Sequence, residues 1–355
     1  MKETERKESR RGGDRVTSLD VAAGAGVSQS TVSRALSGDP RISEATTARV
    51  KEIAKRLGYR PNIAARSLIT SRTRTIGLAV SDINNPFYPS LIEALYGEFR
   101  QLGYGTLLFN SEVEEESDPL APYLDHSIDG LLVCSATLDS RLGSASLAED
   151  LPTVFLVRHT SEPGNRVLSD NRAGAAMAAN LLTDMGHRRI GLISGPPTTS
   201  TAIERDAGFL EVLEARGIAV PDALHLRGEY SQDIGFDSTV ALMESDSRPT
   251  AIFCGNDVIA LGALNAIERL DLSCPEDLSI VGFGDIPISG WAKIDLTTVR
   301  QNLPAMARAA ARMLVDQVER PDGELRTEIF ETELVYRGTA GPPPRQSRPD
   351  HAGEA

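Results

Sequence analysis

The 355 residues read as an all-α headpiece followed by an α/β body of two doubly wound parallel-sheet lobes. Three features of the chain predict this. Two short amphipathic segments meet at Gly26, within residues 17–36. From Thr75 onward, apolar strand-like runs alternate with amphipathic segments. That alternation begins afresh after Asp170, so one α/β unit is followed by a second.

The headpiece is organised around TSLDVAAGAGVSQSTVSRAL, residues 17–36. Thr17 or Ser18 is placed to cap a first helix, whose inner face is expected to hold Leu19, Val21, Ala22 and Ala25. Gly26 stands where the chain must take a positive φ to break the helix. Val27 turns inward, Ser28 caps the next helix, and Val32, Ala35 and Leu36 continue the core. Gln29, Ser30, Thr31, Ser33 and Arg34 are left outside, all short or forked hydrogen-bonding side chains. This is a helix-turn-helix pattern, in which the second helix presents base-reading side chains to the major groove. A third helix is expected from Ser43 to about Leu57, with Val50, Ile53, Ala54 and Leu57 as its inner stripe and Gly58 as its end. Gly24 weakens helix one by about 1 kcal/mol relative to alanine. PNIAARSLI then allows a short helix with Pro61 at its first position, too short to be stable alone in water.

In the body, TIGLAVSD, GTLLFNS, DGLLVCSA and PTVFLV read as strands of lobe one. Lobe two follows with RRIGLISG, ALHLR, TAIFCGND and LSIVGFGD, separated by helices expected over 172–185, 201–216 and 257–270 and one between ALHLR and TAIFCGND. LTTVRQ, a helix over about 303–319 and a single late strand in EIFETELVYRG complete the pattern. The domain plan is a disordered leader at 1–14, a headpiece at 15–60, a hinge helix and linker at 61–74, a body at 75–340 and a disordered tail at 341–355. Lobe one takes about 75–169 and 300–325, and lobe two about 170–299 and 326–340.

A net charge of −13 looks unsuited to a nucleic-acid partner until it is divided along the chain. Residues 15–74 hold eleven basic side chains against four acidic ones, so a basic head sits on an acidic body. The leading MKETERKESRRGGDR lacks the apolar run of an export signal, and no apolar stretch reaches membrane length; a cytoplasmic chain is expected. Cys134, Cys254 and Cys274 are widely spaced, which fits a reducing compartment and no disulfide framework. No G-x-x-x-x-G-K-[ST], G-x-S-x-G or H-E-x-x-H pattern is present, and His126, His159, His187, His225 and His351 show no metal spacing. Neither catalysis, a metal nor a cofactor is expected.

Taken together, DVAAGAGVSQSTVSRALSG, RLGYRPNIAARSL, DINNPFY, MGHRRIGLISGPP, ERDAGF, FCGNDVIALGA, SIVGFGDIP and LTTVRQ resemble the LacI/GalR family of bacterial transcription regulators. The resemblance implies a periplasmic-binding-protein-like body, a homodimer on a palindromic double-stranded DNA operator, and a small effector, a sugar or sugar derivative, between the lobes. It implies repression, with activation or dual regulation as the alternative and a solute-binding protein as the outside reading. By the same resemblance Gln29, Ser30 and Arg34 read bases, while Thr17, Ser28, Thr31, Ser33 and Asn62 hold phosphates or caps. Leu68 takes the minor-groove wedge position. Phe87, Tyr88, Arg205, Tyr230 and Asn256 are the implied effector contacts, with Arg205 as a buried ion-pair partner and Asp257 as a helix cap left open as alternatives. Two departures stand out. Gly284 occupies a position where the family commonly has an acidic acceptor for the effector, with Asp285 beside it, and the stretch between Asn110 and Asp129 is a few residues short. The first argues against an ordinary sugar that relies on a carboxylate acceptor and leaves a phosphorylated or acidic sugar as an alternative; the second bears on the family's dimer surface.

Overall fold

The computed structural model describes residues 16–59, 72–110, 127–140, 151–321 and 323–344. Two compact units divide between Thr73 and Arg74, and each is described by itself. The expected hinge helix, with Asn62 and Leu68, lies outside the described residues, as do the leader, residues 345–355 of the tail and most of the short stretch after Asn110.

The headpiece consists of α1 (Ser18–Ala25), α2 (Gln29–Ser37) and α3 (Glu44–Leu57). Each helix begins at a hydroxyl cap and ends at a left-handed glycine. Thr17, Ser28 and Ser43 accept hydrogen bonds from the backbone N–H groups of Asp20, Thr31 and Thr46, and Gly26, Gly38 and Gly58 have φ of 65°, 75° and 66°. At Thr17 the cap is reciprocal, since Asp20 Oδ2 accepts from the Thr17 N–H at 2.9 Å. The core is small: Val21, Ala22, Ala25, Val32, Ala35, Val50, Ile53 and Ala54, flanked by Val27, Leu36, Ile42 and Tyr59. Leu19 and Leu57 do not join it; they are 61% and 36% exposed, because each sits at a helix end that no described element covers. Gly24 gains a reason here. A Cβ at that position would lie 2.8 Å from Ile53 Cγ2, so the glycine lets α1 approach α3 closely.

The body contains two six-stranded sheets. Lobe one holds β1 (Thr75–Val80), β2 (Gly105–Asn110), β3 (Gly130–Val133), β4 (Thr153–Leu156) and β5 (Asn165–Ser169), joined late by β11 (Thr327–Phe330) in the order β11-β5-β4-β3-β1-β2, all parallel. One face is covered by α4 (Phe87–Gln101) and α9 (Leu303–Glu319), which bury Leu91, Leu95, Phe99, Met306, Ala310 and Leu314 against Ile76, Leu78, Leu132 and Val154. Phe109, Leu131, Val133 and Phe155 form a separate cluster on other positions of the same strands.

Lobe two orders β12 (Thr332–Val335), β10 (Thr297–Gln301), β9 (Ser279–Gly284), β8 (Ala251–Cys254), β6 (Ile190–Ser194) and β7 (His225–Arg227), with only β12 antiparallel to its neighbour among these pairings. Alternate residues of one strand enter opposite cores, as the period of two requires. Ala251 and Phe253 pack with Leu182, Phe209 and Leu213 from α5 (Asn171–Asp184) and α6 (Ser200–Ala215). Ile252 and Cys254 pack with Leu242, Ile259 and Ile267 from α7 (Gln232–Glu244) and α8 (Asp257–Arg269). Helices therefore cover both faces, the doubly wound arrangement expected.

One expectation is corrected. The late strand is two strands: β11 pairs with β5 in lobe one, while β12 pairs with β10 in lobe two, so residues 326–340 do not belong wholly to lobe two. Likewise Arg300 and Gln301 lie in β10 of lobe two rather than in lobe one. The chain passes between sheets at Asp170, Asn302 and Glu331. Asp170 and Asn302 cap α5 and α9 by accepting from the N–H groups of Ala173 and Ala305, which fixes where both crossings turn into helices.

Candidate functional site

Two places bring polar side chains together without using them for structure alone. On the headpiece, Gln29, Ser30, Ser33 and Arg34 are exposed along α2 and Thr31 is half-buried. The Ser28 hydroxyl shares contacts of 2.8 Å with the hydroxyls of Ser30 and Thr31, so the cap is also a small hydroxyl cluster. Gln29 Nε2 donates to Ser18 Oγ at 2.9 Å, bridging the starts of α1 and α2. Arg34 has no ion-pair partner among the described residues, whereas Arg41 is tied to Asp39 at 2.7 Å. Thr17 and Ser28 are the N-caps of α1 and α2.

The second place is a cleft in the body, lined by residues of both lobes. Phe87, Tyr88, Arg205, Tyr230 and Asn256 all line it, although they are far apart in the sequence. Phe87 and Tyr88 open α4 and meet edge to face at 5.5 Å between ring centres. Burial pushes the Tyr88 hydroxyl above the usual tyrosine range, and Ser81 Oγ lies 3.3 Å from it. Tyr230 shares a 3.1 Å hydrogen bond with Thr201 across its hydroxyl.

Arg205 is 4% exposed and is not the ion-pair partner considered as its alternative. Its Nε donates to Asn171 Oδ1 at 2.9 Å, its Nη1 donates to the Gly255 carbonyl at 2.7 Å, and its guanidinium lies 3.7 Å from the centre of the Phe283 ring. Burial lowers its pKa to about 10, still charged at neutral pH. The helix cap at the start of α8 is Asn256, whose Oδ1 accepts from the Ile259 N–H at 2.9 Å. Asp257 is therefore the first helical residue and not the cap, a correction to that alternative. Its carboxylate is buried and accepts from the Ile286 N–H at 2.9 Å, the Ser289 hydroxyl at 2.8 Å and the Thr298 hydroxyl. Burial raises its pKa, and those donors hold it down.

Gly284 closes against this carboxylate with φ of 140°, and a Cβ there would stand 3.5 Å from Asp257 Oδ2. Asp285 does not replace the missing acceptor. Its two oxygens are taken by Arg300 Nε and Arg337 Nη2, both at 2.6 Å. Sequence reasoning missed Asn85, Arg158, Thr201 and Gln301, which also line the cleft. A signal existed for two of them: Arg158 follows the end of β4 and Gln301 ends β10, the carboxyl-end positions at which open α/β sheets hold ligands.

Residues 17–62 match the family model described as bacterial regulatory proteins, lacI family, and residues 179–340 match a periplasmic binding protein-like domain. The ribose operon repressor of Escherichia coli (strain K12) is 31% identical over 328 residues, spanning 91% of this chain and 99% of that protein. The chain belongs to the lacI family of bacterial regulatory proteins. Among solved structures of similar fold, the lac repressor dimer bound to operator and the anti-inducer ONPF aligns with a TM-score of 0.81 at 26% identity, covering 92% of this chain and 99% of that one. The transcriptional regulator CelR–cellobiose complex aligns with a TM-score of 0.70 at 31% identity, covering 92% and 100%.

Family membership makes the chain a transcriptional regulator with a DNA-binding headpiece. Nothing in the body contradicts that with a catalytic arrangement among the described residues. Ser194, Asp206 and His225 do cluster, but the serine and the aspartate both meet His225 at Nε2, at 3.0 and 3.2 Å, and Ser194 is fully buried. A relay would need the two contacts on opposite ring nitrogens. Burial pushes the Cys134 thiol up to about 12 and raises that of Cys254 as well, so neither is a ready nucleophile. Among the described residues no group of three or more metal-binding side chains occurs, and no helix is long and apolar enough to cross a membrane.

Proposed function

We propose that this lacI-family regulator is a repressor that binds a near-palindromic operator as a homodimer and releases or grips it according to a small effector in the interlobe cleft. The observation that carries the DNA reading is α2: a capped helix with an exposed polar face, inside the segment matched to the family headpiece. Arg34 and Gln29 are the base readers in this account, because a guanidinium suits guanine and a carboxamide suits adenine. Gln29 must exchange its bond to Ser18 for one to a base, and Ser30 supplies a shorter contact beside it. Ser33 and Thr31 join Thr17 and Ser28 at the phosphates, with Asn62 beside them and Leu68 as the minor-groove wedge. Such a protein acts in the cytoplasm and has no catalytic step.

The cleft reading rests on Phe87, Tyr88, Arg205, Tyr230 and Asn256 converging from both lobes. The ribose operon repressor and the cellobiose-bound regulator lend sugars as a class. A ligand favouring one lobe arrangement shifts the population of DNA-competent dimers; one binding both equally shifts nothing. Fluorescence anisotropy of the full chain on a selected duplex tests this. The expected result is a complex that weakens steeply with salt, as phosphate contacts require, and an operator affinity that changes when an effector fills the cleft. Salt-independent, sequence-blind binding contradicts it.

A further inference from the structure

The cleft contains two guanidinium groups, and neither is in an ion pair with a carboxylate among the described residues; the lining Asp257 bonds to other donors. Arg205 is nine-tenths buried, and both its protein acceptors, Asn171 Oδ1 and the Gly255 carbonyl, are neutral. Its Nη2 has no hydrogen-bond partner among the described residues. Arg158 follows β4 and lies over the Tyr230 ring at 5.1 Å, and it has neither hydrogen bond nor ion pair among the described residues. The nearest carboxylates are engaged elsewhere. Asp257 accepts from Ile286, Ser289 and Thr298. Glu204 makes no hydrogen bond to Arg205; it accepts from Asn171 at 2.7 Å, and its other oxygen lies 3.4 Å from His159 Nε2. Asp285 is locked between Arg300 and Arg337.

We infer that the effector carries an anionic group, a carboxylate or a phosphate, and that Arg158 is the residue that selects for it. The inference rests on the reading of the cleft as the effector site. A buried cation without a counter-charge is costly, and a ligand anion offsets that cost while its neutral analogue leaves it in place. The free fork of Arg158 and the remaining Nη2 of Arg205 fit the oxygens of a carboxylate or a phosphate. The hydroxyl-bearing remainder then meets Asn256 and Gln301, with Phe87 and Tyr230 as ring faces.

The test is calorimetric titration of the full chain with matched sets: glucose, gluconate and glucose 6-phosphate; ribose and ribose 5-phosphate; and inorganic phosphate alone. Both anionic classes are needed because the two guanidiniums serve either. An acid or a sugar phosphate is expected to bind, to bind at least tenfold tighter than its neutral counterpart, and to weaken with added salt. In Arg158→Gln its affinity is expected to fall about tenfold to hundredfold, as loss of a charge-assisted hydrogen bond requires, and Arg158→Glu is expected to abolish it. Arg158 is half-buried, so both variants are checked for unchanged melting without ligand. Preference for gluconate points to a carboxylate, and preference for a sugar phosphate over inorganic phosphate points to a phosphate ester. A neutral sugar that binds tighter than its anionic partner and is indifferent to Arg158→Gln overturns the inference while the cleft reading survives, provided Phe87→Ala still weakens it. An anionic ligand indifferent to Arg158→Gln, Arg205→Ala and Phe87→Ala places the effector elsewhere and overturns both. Failure of every acid and phosphate to bind at millimolar concentration overturns the inference as well.

Discussion

The headpiece carries its candidate base-reading side chains on one helix of nine residues, whereas the cleft draws its lining from positions 85 to 301. The difference is one of what holds each side chain. On α2, the Ser28 cap and the Gly38 exit fix the helix, and the polar face follows from helical period alone. Arg205 owes its position to the approach of α5 and α6, to Gly255 at the end of β8 and to a ring from β9. A substitution in the first place changes a contact; in the second it also disturbs the packing that made the contact. Glycines show the same contrast. At Gly208 a Cβ would lie 2.1 Å from the Arg172 carbonyl oxygen, so two backbones would have to part. At Gly24 the obstacle is the side chain of Ile53, which can shift.

The largest expected effect follows directly. Gly208→Ala destabilises the body by about 3 kcal/mol, the upper range for overpacking, measured by denaturant unfolding. In Gly24→Ala the gain in helix propensity of about 1 kcal/mol offsets much of the clash, so the headpiece midpoint moves little. Equal losses at the two positions would remove the contrast between backbone-limited and side-chain-limited packing. Next comes the cap. Ser28→Ala costs the headpiece about 1 kcal/mol and weakens operator binding in step. Unchanged thermal unfolding of the headpiece would show that the hydroxyl cluster with Ser30 and Thr31 is not what starts α2.

The smallest effect concerns pH. His187 is fully buried, with Nδ1 2.8 Å from Thr250 Oγ1 and Nε2 2.8 Å from the Gly341 carbonyl. Burial holds its pKa below the ordinary 6.5. The unfolded chain therefore takes up this proton at higher pH than the native body does, so the contribution is complete above the unfolded value and is lost as pH falls through 6.5 toward the lower native value. Melting curves between neutral and mildly acidic pH should fall more steeply for the wild type than for His187→Gln. Parallel slopes would mean that the histidine does not contribute this linkage.

What the sequence made legible was local or periodic. Caps at Thr17 and Ser28, the exits at Gly26 and Gly58 and the strands of the two lobes except β5 are written in short windows, and the structure has them there. β5 (Asn165–Ser169), with Asn165 and Arg166 at its start, is too polar a run to announce itself. Leu19 and Leu57 misled because an apolar residue at a helix end satisfies the period whether or not a neighbour covers it. The late strand misled for a related reason. EIFETELV reads as one extended run, and only the separate pairings of Thr327–Phe330 and Thr332–Val335 show a switch of sheet at Glu331. The place of Arg158 just after a strand end was legible, but its lack of a hydrogen-bonded counter-charge was not, because that is a property of the assembled cleft and not of any window of sequence.

The central claim is that α2 reads sequence while the cleft reads the effector, and its most direct test is selection of a random duplex library by the full chain and by Arg34→Ala. The wild type should enrich a near-palindromic site. The variant should bind that site about 1–3 kcal/mol more weakly and lose discrimination at one base pair in each half-site, with its melting unchanged. An Arg34→Ala protein that enriches the same site with the same preference and affinity would contradict the account.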